Sequence, residues 1–156
     1  MKIEKINGFW VPSNDIHVEQ WKAGNPFTQN KCLNKFLDYC ESQSKKFRTV
    51  IDVGAWCGTW AKTMEPFCDN IIAFEPDKIH FECLQKNATI NCSPRLEAVG
   101  SEIKYVGLNQ DDFTQAKRVI GEGKIRCVTI DSFQYKKIDL IKIDVEGYEM
   151  EVLKGA

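Results

Sequence analysis

The most constraining stretch of this sequence is Arg48 to Gly58, RTVIDVGAWCG, where an apolar run carrying one acid breaks into a glycine-punctuated turn. Val50, Ile51 and Val53 are β-branched and almost continuous, the pattern of a parallel strand covered on both faces. Asp52 then sits near the end of a buried strand, where an unpaired carboxylate is costly, so it needs a partner or a ligand. Gly54 and Gly58 let the main chain bend tightly and approach a ligand with no Cβ in between. A helix is predicted from Thr59 onward, its first N–H groups turned towards whatever the bend cradles. This is a small-molecule site in outline.

The same logic recurs downstream. NIIAFEP, residues 70–76, is a second apolar run closing on an acid, and Glu75 lies 23 positions after Asp52. That is about the separation at which the second strand of a nucleotide-binding βαβ unit brings a carboxylate to a ribose, where it accepts hydrogen bonds from both hydroxyls. Asp77 is placed to cap a helix running to about Ile90, with Ile79, Cys83, Leu84 and Ala88 inward. A third strand is expected near Leu96 to Gly100. EIKYVGL and KIRCVTIDSF read as extended, with Gly121 and Gly123 in the polar stretch between them, and predict a hairpin-like insertion. IDLIKIDVEG, residues 138–147, is again a strand ending in acids and glycine. Along it Leu140, Lys142 and Asp144 share one face, and Ile141, Ile143 and Val145 the other. A helix should follow, ending at Gly155.

Upstream, residues 1–28 suggest a short strand or hairpin followed by loop. From Gln29 to about Lys45, Leu33, Phe36, Leu37 and Cys40 recur at helical spacing. Trp21 and Phe27 are either packing residues or part of a substrate wall. Trp60, Ala61, Met64 and Phe67 form a stripe expected in the core, and Pro66 ends their helix.

Strand–helix alternation from residue 48 predicts an α/β domain with a mostly parallel sheet, helices on both faces and right-handed crossovers. The expected organisation is a single domain, residues 48–156, with residues 1–47 as an N-terminal extension packed on it. Ligands of such sheets sit beyond the carboxyl ends of the strands, where strand order reverses. Asp52, Glu75 and Asp144 all fall at such ends.

Composition narrows the partners. With 28% charged residues and a net charge of −1, the 156-residue chain gives no electrostatic reason to expect nucleic acid or an anionic membrane. No apolar run approaches the ~20 residues of a membrane helix and the polar start lacks a secretory signal, so a cytoplasmic location is expected. The seven cysteines are odd in number and form no CxxC pair, which favours reduced core thiols over disulfides or a metal framework. Cys57, in the glycine turn, is the one thiol placed where a thiolate could be stabilised. His17 and His80 fall in no ligand-spaced cluster, and no metal is expected.

GxGxxG and GxxxxGK[ST] are both missing, which disfavours dinucleotides and nucleoside triphosphates. The motif present is D-x-G-x-x-x-G, Asp52, Gly54 and Gly58, followed by an acid at the next strand end. It resembles the glycine-rich motif of S-adenosylmethionine-dependent methyltransferases, whose cofactor has no phosphate to cradle and carries ammonium and sulfonium charges that acids tolerate. More specifically, VIDVGAWCGTW (50–60), IIAFEPDKIHFECLQKNATIN (71–91), and VTIDSF with IDLIKIDVEGYEMEVLKGA (128–133 and 138–156) resemble the FkbM family of methyltransferases.

The resemblance implies a Rossmann-like methyltransferase fold and S-adenosyl-L-methionine as the methyl donor, with a small-molecule or glycan hydroxyl as acceptor. It makes Asp52, Gly54, Ala55 and Gly58 methionine-side contacts, Glu75 the ribose acceptor and Ala98 a neighbour of the adenine. Asp144 faces the methionine end and the acceptor. Asp144 or Glu146 would take the acceptor proton, and Lys142 would hold Asp144 or stabilise a developing alkoxide. A strand-end ion-pair network is the competing account of Lys142, Asp144 and Glu146. The family's pattern continues past LKGA, so the sheet is expected to lack its last strands. Its fourth strand would be an edge, for a second copy or another chain to cover. The alternative function is a shortened, inactive module that binds cofactor or a protein partner.

Overall fold

Two short strands begin the chain, β1 (Ile3–Ile6) and β2 (Phe9–Pro12), paired antiparallel across a turn at Asn7 and Gly8, both with positive φ. Helices α1 (Val18–Lys22) and α2 (Asn30–Ser42) follow. Then come β3 (Phe47–Val53), α3 (Thr59–Met64), β4 (Cys68–Phe74), α4 (Lys78–Asn87), β5 (Cys92–Arg95) and β6 (Ala98–Val99). The chain continues through β7 (Lys104–Gln110), β8 (Lys117–Val128), β9 (Leu140–Ile143) and α5 (Glu149–Lys154). This computed structural model describes residues 2–24, 30–110 and 117–156. Phe27 lies outside them.

The central sheet is parallel, in the order β5-β4-β3-β9. From β3 the chain steps outward to β4 and β5, then returns to the other side of β3 as β9. Strand order therefore reverses between β3 and β9, and Asp52 and Lys142 stand directly opposite each other across that pair. One face carries Val50, Ile71, Ala61 and Met64, with Phe36 and Leu37 of α2 packed on them. The other carries Ile51, Val53, Ile72 and Phe74 against Val99, Val128, Ile130 and Val152 of α5. Alternate residues of each strand thus feed opposite layers, as expected of an α/β sheet with both faces covered. The alternation predicted for β9 holds, with Leu140 in the first layer and Ile141, Ile143 and Val145 in the second.

The third parallel strand is not Leu96 to Gly100. Cys92–Arg95 pairs with β4, and Ala98–Val99 joins a separate sheet beside β8. Pro94 misleads because proline interrupts most strands, yet β5 is an edge and one of its sides needs no N–H. The predicted hairpin is present as β7 and β8, with Gly121 and Gly123 inside β8 at a register shift. A Cβ on Gly123 would stand 2.3 Å from the Val106 carbonyl oxygen.

Asp77 caps α4 by accepting from the N–H groups of Ile79 and His80. That helix stops at Asn87, short of Ile90, which is fully exposed. The Asn87 side chain accepts from Trp10 N–H and donates to the Trp10 and Cys57 carbonyls, tying the N-terminal hairpin and the glycine turn to α4. All seven cysteines are free thiols. Among the described residues no helix is long and apolar enough to cross a membrane.

Candidate functional site

A cleft of about 970 Å³ opens at the carboxyl ends of β3, β4 and β9. Its floor begins at the glycine turn. The Gly54 and Ala55 N–H groups both donate to the Phe74 carbonyl at 3.0 Å, and Asp144 N–H donates to the Val53 carbonyl at 3.0 Å. Gly54 has φ +74°, and a Cβ there would lie 1.9 Å from the Asp144 carbonyl oxygen. Glycine is needed at 54 because two strand ends close on each other over it.

Asp52 lies beneath this turn, fully buried, with Lys142 as counter-ion at 3.1 Å. Lys142 also donates to the Gly54 carbonyl at 2.7 Å and stands 3.9 Å from Asp144. Burial raises the Asp52 carboxyl above its ordinary range, and the Lys142 ammonium works against that rise. Asp52 does not line the cleft. It acts through Lys142, whose ammonium joins β3, β9 and the turn.

Glu75, one residue past β4, is buried, and its one ion-pair partner among the described residues is the His80 ring, with Nδ1 3.9 Å away. Oε2 accepts from Trp56 N–H and Oε1 from Asp77 N–H, both at 2.8 Å. Burial pushes its carboxyl up to about 7, although the two N–H donors oppose the shift. Each oxygen keeps a further lone pair, and the side chain lines the cleft. Trp56 is held at φ +50° by this clamp, between the rings of Trp21 and His80.

Of the residues singled out in the sequence, Gly54, Ala55, Glu75, Ala98, Lys142, Asp144 and Glu146 line the cleft, from four separate segments. Gly58 does not. It is the left-handed N-cap of α3, and a Cβ on it would meet Leu84 of α4 at 2.7 Å, so its small size seats a helix. Cys57 is fully buried, and burial drives its thiol far above the ordinary range, which removes the thiolate suggested by its position. Trp21 packs on Phe9 with its rings 5.3 Å apart, in the hairpin's own core, and also reaches the cleft. Trp60, expected in the core, reaches the cleft as well.

Sequence reasoning passed over several lining residues, among them Asp15, His17, Trp56, His80, Lys117 and Tyr148. Two signals were on offer: the D-x-H spacing of Asp15 and His17, and the place of Trp56 inside the glycine turn. The remainder arrive through tertiary contacts that no local pattern encodes. Among the described residues no group of three or more His, Cys, Asp or Glu is arranged to hold a metal.

No curated protein matches the chain. A crystal structure of methyltransferase FkbM from Methylobacillus flagellatus KT matches with 22% identity and a TM-score of 0.49, over 71% of this chain and 29% of that one. This chain therefore spans less than a third of that protein's length. The family model for the methyltransferase FkbM domain matches residues 52–156, which takes in the turn, the β4 end and the β9 end. The chain belongs to the FkbM methyltransferase family.

Proposed function

We propose that the cleft binds S-adenosyl-L-methionine and that the chain supports transfer of its methyl group to a hydroxyl of a sugar or other small molecule. One observation carries this reading: Gly54, Ala55, Glu75, Ala98 and Asp144 meet at one cleft where the strand order reverses.

The donor set fits this cofactor. Glu75 offers two buried carboxylate oxygens with lone pairs to spare, as a ribose diol requires. Ala98 and Val99 give an apolar, nearly fully buried wall beside it, suited to a base. Asp144, at the β9 end, gives a methionine ammonium an acidic neighbour. When bound, the cofactor supplies an electrophilic methyl on sulfur.

The protein's own contribution is placement. The Lys142 bridge fixes the β3 and β9 ends relative to each other, and the Glu75 clamp fixes the turn against β4. Held in line with the methyl group, an acceptor oxygen needs little further help than loss of its proton. At the strand ends Asp144 and Glu146 are the carboxylates available for that proton. Lys142 keeps Asp144 near it and places a positive charge where an alkoxide would develop.

Calorimetric titration with S-adenosylmethionine, beside a labelled-methyl transfer assay on a panel of sugars, tests the proposal. Binding with transfer is expected. Absence of binding overturns it, and binding without transfer leaves the inactive cofactor-binding module.

A further inference from the structure

The N-terminal segment, outside the matched family region, brings a histidine–aspartate pair to the same cleft. Asp15 Oδ1 accepts from His17 N–H at 2.8 Å and lies 2.9 Å from His17 Nδ1. Asp15 is only 10% exposed in its side chain, whereas the His17 ring is 36% exposed and lines the cleft. The ring stands edge-on to Trp56, with centroids 6.2 Å apart, and Trp56 is the residue that Glu75 clamps. His17 thereby packs against the floor of the site. A carboxylate against Nδ1 holds the proton there and leaves the Nε2 lone pair bare, and Nε2 has no hydrogen bond among the described residues.

We propose that His17 is the general base that takes the acceptor hydroxyl's proton, with Asp15 as its positioning residue. This rests on the methyl-transfer reading above. The proton passes from the acceptor oxygen to His17 Nε2. The oxygen–carbon bond forms as the carbon–sulfur bond breaks, its electron pair staying on sulfur, and the imidazolium then releases the proton to water. An imidazole is a stronger base than a carboxylate and is matched to neutral pH, so it suits this step better than Asp144 or Glu146.

The surrounding titratable groups are Asp15 on the same loop, Glu75 and Asp77 beyond β4, His80 of α4 and Lys117 of β8. Glu75 acts on cofactor binding, so its titration drops out of kcat at saturating cofactor. The acid limb of kcat that remains is assigned by its loss in a variant.

The test pairs kinetics with spectroscopy on the full chain. With S-adenosylmethionine saturating and methyl glycosides as acceptors, His17→Gln is expected to lower kcat at neutral pH by about 100-fold and to erase the acid limb. Its calorimetric affinity for S-adenosylmethionine should stay within twofold of wild type. Nitrogen-15 imidazole spectra of the wild type with S-adenosylhomocysteine should show the Nδ1–H tautomer at His17, lost in Asp15→Asn. An Nε2–H tautomer in the wild type, or an acid limb that survives in H17Q, overturns the assignment. An acid limb lost instead in Asp144→Asn moves the role to Asp144. A wild type that binds cofactor but transfers no methyl overturns the methyl-transfer reading itself, and this role with it.

Discussion

Two neighbouring strand ends each bury an acid, and they do it by opposite means. At the β3 end Asp52 is paired with the Lys142 ammonium and, among the described residues, receives no backbone N–H donor. At the β4 end Glu75 has two backbone N–H donors and, among the described residues, no close cation but His80, whose Nδ1 is 3.9 Å away. Burial holds the His80 imidazolium below its ordinary range. The first arrangement consumes its acid in holding the sheet together. The second leaves an acid facing the cleft with acceptor capacity to spare, balanced between its charged and neutral forms near pH 7. Position at a strand end therefore does not distinguish an acid that faces the cleft from one that ties the sheet together; the partner does.

Removing the cation should break the first site most severely. Lys142→Met leaves a fully buried carboxylate without its counter-ion, and stability measured by urea unfolding should fall by about 3–5 kcal/mol. Adding Asp52→Asn to it should recover most of that loss, which sharpens the contrast because no equivalent rescue exists for Glu75. Gly54→Ala comes next. With φ +74° and the Asp144 carbonyl in the way, it should cost more than about 2 kcal/mol and abolish cofactor binding by calorimetry.

Glu75→Gln keeps the shape and removes the charge. Cofactor affinity should drop about tenfold or more at pH 8, where the wild-type carboxylate is ionised. Wild-type affinity should itself weaken as pH falls below about 7, while that of the variant should not. The sign for stability is the reverse. The native carboxyl titrates at about 7 and the unfolded one near 4.5, so the native state holds the proton longer. This contribution to stability is full below about 4.5 and is lost as pH rises through about 7. Denaturation midpoints should decline over that window in the wild type and stay level in E75Q. Smallest is Asp77→Ala, which removes the α4 cap at about 1 kcal/mol and leaves the carbonyls and acids of the cleft in place.

How far the sequence carries this comparison depends on the range of the interactions. The β3 and β9 strands were legible because β-branched runs and two-residue alternation are local, and Asp52 could be read as needing a partner because burial was implied by its neighbours. That the partner is Lys142 is a matter of strand register, Asp52 opposite Lys142, which no local pattern contains. Gly58 shows the opposite failure. Its spacing suggested a ligand contact, whereas the obstacle to a side chain there is Leu84 from the next helix. The aromatic wall at Trp56, and the Asp15–His17 pair above it, depend on how the N-terminal hairpin is pinned to α4 through Asn87. The match to the family begins at residue 52, so for that segment pattern alone was available; it suggested an extension packed on the domain, but not which of its side chains reach the cleft.

The most direct measurement is a crystal structure of the chain with S-adenosylhomocysteine at saturating concentration. The ribose hydroxyls are expected on Glu75, the base beside Ala98, and Asp52 still paired with Lys142 below the turn. A nucleoside bound elsewhere, or contacting Asp52 after displacing Lys142, would contradict this placement.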